Sequence, residues 1–124
     1  MIYLTFLLLN IAHYIGDYTH LSTNWMLNAK SKGTPLLPIF VHALTHAILF
    51  SLVIFAIHGI DDVLLVFSIQ LLSHFAIDVL KGKLNVWIPT VSKPMNRSHW
   101  YIFGLDQFLH QSIIILTIYT ISPF

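Results

Sequence analysis

Histidine and aspartate recur along this chain in pairs four residues apart: His13 with Asp17, His42 with His46, His74 with Asp78, and Asp106 with His110. In an α-helix that spacing stacks both side chains on one face, one turn apart. Imidazole and carboxylate both ligate first-row divalent metals. The chain has no cysteine and no glutamate, so these are its only strong ligands. Five histidines and three aspartates exceed the needs of one tetrahedral ion and suit two ions with shared carboxylates. His13, Asp17, His42, His46, His74, Asp78, Asp106 and His110 are therefore the candidate metal ligands. The metal would be divalent: zinc first, with iron or manganese as alternatives. Asp17, Asp78 and Asp106 are also the candidate catalytic groups. Two such ions would lower the pKa of a water between them and polarise a scissile bond.

The chain holds eight histidines and five aspartates in 124 residues, and random placement would give about one such pair. Five occur. The fifth, His58 with Asp62, straddles Gly59 and is set aside as a loop coincidence. A single histidine within a membrane is more often a hydrogen-bonded packing residue than a ligand. A metal-free His–Asp network relaying protons would have the same composition as a metal site, so that alternative stays open.

Composition says what must position these residues. The chain is 56% hydrophobic and only 9% charged, where a soluble domain carries about 25% charged residues. It reads as a single integral membrane domain over residues 1–124, all-α and polytopic, with no argument for nucleic acid in a net charge of +1. Four apolar segments approach the roughly 20 residues needed to span a bilayer: Ile2 to Leu21, Leu36 to Ile57, Val63 to Leu80, and Trp100 to Ile121. The expected fold is a four-transmembrane-helix bundle. The first segment lacks a basic leader and a small-residue cleavage site, and reads as a retained span rather than a signal peptide. The stretch KGKLNVWIPTVSKPMNRS between the third and fourth spans is expected to lie along the interface, where Trp87, Trp100 and Tyr101 suit the aromatic belt.

All six basic residues, Lys30, Lys32, Lys81, Lys83, Lys93 and Arg97, fall on one side of this arrangement. The positive-inside rule makes that side the cytoplasm and puts both termini outside. Measured along the helices, all four pairs then lie roughly 5–20 Å from the cytoplasmic end of their own span. That shared depth is what a common site requires.

Asn10, His20, Gln70, Gln107 and Gln111 extend the same faces as outer acceptors for metal-bound imidazoles, or as ordinary interhelical hydrogen bonds. His20 is expected to be neither a ligand nor a general acid–base. His99 is expected at the interface. Lys81, Lys83 and Arg97 could hold a substrate phosphate, but topology and attraction to anionic lipid account for them more simply. Gly16 and Ser73, beside ligands, suit close helix approach.

The combination of HYIGDY, NWMLNAK, HALTH, HFAIDVLKGKL and DQFLH resembles the bacterial membrane family called domain of unknown function 3307, over nearly the whole chain. That family usually carries a glutamine between the first aspartate and the tryptophan, where this chain has His20 and Ser22. The resemblance implies no activity. A looser likeness to small inner-membrane metal-dependent hydrolases is analogy alone.

The expected function is a membrane-embedded metal-dependent enzyme of the bacterial inner membrane, a hydrolase acting on a lipid or lipid-linked ester or phosphate. Alternatives are a non-haem di-iron oxidase, a metal-ion or proton transporter, and a metal-stabilised subunit that binds another membrane chain or forms an oligomer.

Overall fold

A computed structural model of the protein describes residues 1–122. It contains five α-helices, α1 (Ile2–Tyr18), α2 (Asn24–Lys32), α3 (Leu36–His58), α4 (Val63–Trp87) and α5 (Arg97–Ile121), with a short 3-10 turn at Pro89–Ser92 and no strand among the described residues. Helix α3 packs along α4, α1 lies against α3 and touches α5, and α4 meets α5. The small helix α2 sits across α3 and α4.

The radial distribution of polarity is inverted relative to a soluble domain. His42 and His46 are fully buried, and His74, Asp78 and Gln70 nearly so, while Leu64, Leu72 and Phe108 are 75%, 69% and 65% exposed. Ionisable groups turned inward beneath an apolar exterior are what a hydrocarbon solvent selects. Helices α3, α4 and α5 are long and apolar enough to cross a membrane, so the chain is a multi-pass membrane protein. Helix α1 stops at Tyr18, not at Leu21 as the apolar run suggested. Its 17 residues extend about 25 Å, short of a hydrocarbon core of about 30 Å.

Two features near the basic residues go beyond what hydropathy marks. The connection between the first two apolar segments, where hydropathy marks no span, contains α2. Thr23 caps its N-terminus by accepting the Met26 N–H at 3.4 Å. Gly33 ends it in the left-handed conformation, φ +73°, donating its N–H to the Ala29 carbonyl at 2.8 Å. Helix α4 also runs on through Lys81 and Lys83 to Trp87, well past Leu80. Charge ends an apolar run but not a helix, because lysine is a good helix former. The chain leaves helical geometry only at Ile88, before Pro89.

The bundle has two zones. Leu9, Phe50, Ile54, Val66, Ile114 and Ile118 form one apolar cluster, contributed by α1, α3, α4 and α5. The His–Asp pairs lie further along each helix, towards the end covered by α2 and the Pro89–Ser92 turn.

Candidate metal centre

The four helices bring all eight paired residues into one buried cluster. Asp17 has 9% of its side chain exposed, and the other seven residues are between 0% and 6% exposed. Four imidazoles pack ring to ring: His46 and His74 stack at 3.8 Å between centroids, His74 meets His110 at 4.4 Å, and His42 meets His46 at 4.8 Å. His13 borders the group, 5.1 Å from both His46 and His110.

Within the cluster two sets each offer ligand atoms that all lie within 4.8 Å of one another: Asp17, His42, His46 and His74, and His74, Asp78 and His110. A tetrahedral zinc with nitrogen and oxygen ligands holds neighbouring donors about 3.3 Å apart. Asp17 Oδ1 already lies 2.9 Å from His42 Nε2 and 3.0 Å from His46 Nε2. His74 belongs to both sets and joins them. His13 and Asp106 fall outside both. His13 Nε2 contacts Asp17 Oδ2 at 3.3 Å. Asp106 Oδ2 accepts from Lys81 Nζ at 3.1 Å and from Gln107 Nε2 at 3.0 Å.

Unmet hydrogen-bonding demand concentrates here. Eleven buried side-chain nitrogen or oxygen atoms among the described residues lack a hydrogen-bond partner, and nine belong to this cluster. They are two on His13 and one each on His42, His46, His74, His110, Asp78, Asp106 and Gln70. Each such atom costs about 1–3 kcal/mol, a total on the order of 10 kcal/mol or more. A divalent ion bound by protein ligands contributes about 10–16 kcal/mol in structural sites. An ion would engage only the orphaned atoms able to ligate, and the imidazole and carboxylate donors of the two close sets fit one.

Some ring orientations are already set. His110 Nδ1 donates to the Asp106 carbonyl at 2.8 Å, leaving the Nε2 lone pair directed towards Asp78, whose Oδ1 is 3.7 Å away. The Gln70 side-chain amide lies with its nitrogen, Nε2, 3.2 Å from His74 Nδ1, and its Oε1 has no partner. With its oxygen turned towards the ring it would accept the Nδ1 proton, leaving Nε2 free to ligate. Gly16 makes room for the His46 ring: a Cβ there would stand 2.5 to 2.9 Å from three ring atoms.

Lys30, on α2, is the residue that spacing did not reveal. Its ammonium lies 3.0 Å from His42 Nε2 and 3.6 Å from both Asp17 and Asp78. Burial disfavours its charge, but Asp78, Asp17 and Asp106 together outweigh that and hold its pKa above the ordinary lysine value. From the sequence, Lys30 counts only among the basic residues that set topology. The available signal was a stripe of Met26, Ala29, Lys30 and Gly33 at helical spacing between a Thr23 cap and a glycine stop. The helix reaches its place because α4 has no side chain at Gly82, where a Cβ would lie 2.2 Å from the Gly33 nitrogen and 2.4 Å from the Lys30 carbonyl.

Other sequence candidates separate clearly. Gln70 and Gln107 touch cluster residues. Asn10 bonds to the Phe6 carbonyl of its own helix. His20 is exposed. His58 lies at the opposite end, with Nε2 2.9 Å from the Thr5 hydroxyl. His99 is not a plain interfacial residue; its Nδ1 donates to the Val91 carbonyl at 2.8 Å, and its ring helps line a cavity beside the cluster.

The chain matches the family model described as protein of unknown function (DUF3307) over residues 4–123. It belongs to that family. No curated protein and no solved structure matches it. The His–Asp cluster thus sits in a DUF3307 chain whose family description assigns no activity.

Proposed function

We propose that this DUF3307 protein is a membrane-embedded, metal-dependent hydrolase. One divalent ion, zinc or a similar metal, would be held by Asp17, His42, His46 and His74. A second would be held by His74, Asp78 and His110, with His13 closing the ring of donors. The reading is carried by one observation: the buried cluster that holds nine orphaned polar atoms also contains two sets of mutually close ligand atoms. In this reading α1 is a fourth crossing, tilted or in a locally thinned bilayer, both termini are outside, and the basic end faces the cytoplasm of a bacterium.

The bound metal would polarise the scissile group and acidify a water. The chain's own residues do the rest. Asp78 is the cluster carboxylate that lines the adjacent cavity, so it meets the substrate side. Hydrolysis of an ester or phosphoester joins the water oxygen to carbon or phosphorus and breaks the bond to the leaving oxygen. Asp78 can take the water's proton and return it to that oxygen. Asp106 acts at one remove, holding Lys81 at the cavity wall.

The test is metal content by mass spectrometry of protein purified in detergent from metal-supplemented cells. Wild type should retain near-stoichiometric metal. His74→Ala should lose most of it, because His74 serves both sets, and His42→Ala should lose the larger set. Wild-type protein that is folded, monodisperse and metal-free would refute the proposal.

A further inference from the structure

Beside the cluster, between α2, α4, the Pro89–Ser92 turn and α5, lies a cavity of about 250 Å³. Its walls include Lys30, Lys81, Asn85, His99 and, at the inner end, Asp78. Both lysines are partly open to it, with 19% and 29% of their side chains exposed. All six basic residues of the chain belong to this end of the bundle, and Asp61 and Asp62 lie at the other. Lys30 and Lys81 both pair with carboxylates; with Asp17 and Asp78 neutralised by a metal, the local field would favour an anion. The volume is below the range of about 300–1,000 Å³ typical of pockets that enclose a whole drug-sized ligand, so it suits a headgroup.

A second feature says what the rest of that ligand is. A shallow, mainly apolar groove of about 50 Å³ runs between α4 and α5, lined by Ile77, Leu80, Leu84, Leu105 and Leu109, with Asp106 at its wall. It shares Lys81 and Ile102 with the cavity. A chamber with two lysines in its wall, beside an outward apolar groove, suits an amphiphile.

We propose that this site seats a phosphate-bearing lipid, its phosphate between Lys30 and Lys81 and its acyl chain along the α4–α5 groove. The inference rests on the metal reading in one respect. Lys30 now pairs with Asp17 and Asp78. A divalent ion held by those carboxylates would neutralise their charge, which would free the Lys30 ammonium for the cavity wall that it already forms. Asp78 then lies at the inner end of the headgroup chamber, against the substrate's phosphate.

Calorimetric titration of metal-loaded protein in non-ionic detergent tests this, with dioctanoyl phosphatidic acid, dioctanoylglycerol and inorganic phosphate as probes. Phosphatidic acid should bind saturably, and the other two at least about tenfold more weakly. Lys81→Gln should weaken phosphatidic acid by about tenfold or more while keeping its metal, and Lys93→Ala, exposed at the same end, should change nothing. Leu105→Trp, which fills the groove, should weaken phosphatidic acid and leave inorganic phosphate as it was. Equal binding of phosphatidic acid and dioctanoylglycerol, or equal behaviour of Lys81→Gln and Lys93→Ala, overturns the phosphate contact. Inorganic phosphate binding as tightly as phosphatidic acid overturns the lipid and leaves a free-anion site. Metal-replete protein that ignores phosphatidic acid sinks this inference alone, whereas metal-free protein sinks the metal reading and the release of Lys30 with it.

Discussion

Replacing Gly82 by alanine should detach α2 from the bundle without touching any proposed ligand. The added Cβ would lie 2.2 Å from the Gly33 nitrogen, 2.4 Å from the Lys30 carbonyl oxygen and 2.6 Å from the Gly33 Cα. All three atoms are backbone, so no side chain can rotate away. Restoring ordinary contact at about 3.4 Å requires α2 to retreat by about 1.2 Å. Lys30, already 3.6 Å from Asp17 and Asp78, would then be outside ion-pair range of both. Overpacking of this kind costs about 1–3 kcal/mol. If local opening of α2 absorbs that cost, its amides should exchange hydrogen about 5- to 160-fold faster than in wild type. Mass-spectrometric hydrogen exchange over residues 24–33 reads this directly. Gly104→Ala is the control, since nothing lies within 4 Å of its added Cβ. It should be neutral or stabilising by up to about 1 kcal/mol. Unchanged α2 exchange in Gly82→Ala would refute the claim that the Gly82–Gly33 approach docks the helix that delivers Lys30.

Three further outcomes follow from the cluster itself. Gly16→Ala should push the His46 ring aside and reduce bound metal, measured by mass spectrometry, more than it lowers thermal stability in detergent. Gln70→Leu should keep the fold and weaken metal affinity by about 10- to 100-fold in a chelator competition, as loss of a ligand-orienting partner does. Lys93→Ala should leave metal content unchanged; depletion there would mean that the exposed basic end takes part in the centre.

The paired residues were legible because each pair sits within one helix, where a spacing of four fixes a shared face. The inward aim of His42, His46, His74 and Asp78 followed from the cost of exposing them to lipid. The inequality among the pairs was not legible. Spacing within a helix says nothing about how far each helix is rotated or shifted against its neighbours, and those displacements leave His13 and Asp106 outside the two close ligand sets. Lys30 was missed for another reason. A charged residue in a polar connection satisfies topology and solvation at once, and nothing local distinguishes it from Lys32. What distinguishes it is Gly82, more than fifty residues away, which lets α2 lie close enough for a long apolar stem to carry its ammonium inward. The end of α4 was misplaced because hydropathy marks where a bilayer ends, and the helix continues beyond that point.

The apolar cluster of Leu9, Phe50, Ile54, Val66 and Ile114 gives the molecule a floor. Thr5 and Thr117, buried on the same helices, donate their hydroxyls to the carbonyls of Met1 and Ile113, and Thr5 also meets His58 Nε2 at 2.9 Å. The apolar layer that separates this pair from the clustered histidines offers no side-chain ligand to a cation or proton, so release at the α2 end is the expected outcome. Exchange with the surroundings is therefore sided: in sealed vesicles, a membrane-impermeant chelator should strip the centre from one face of the membrane and not from the other.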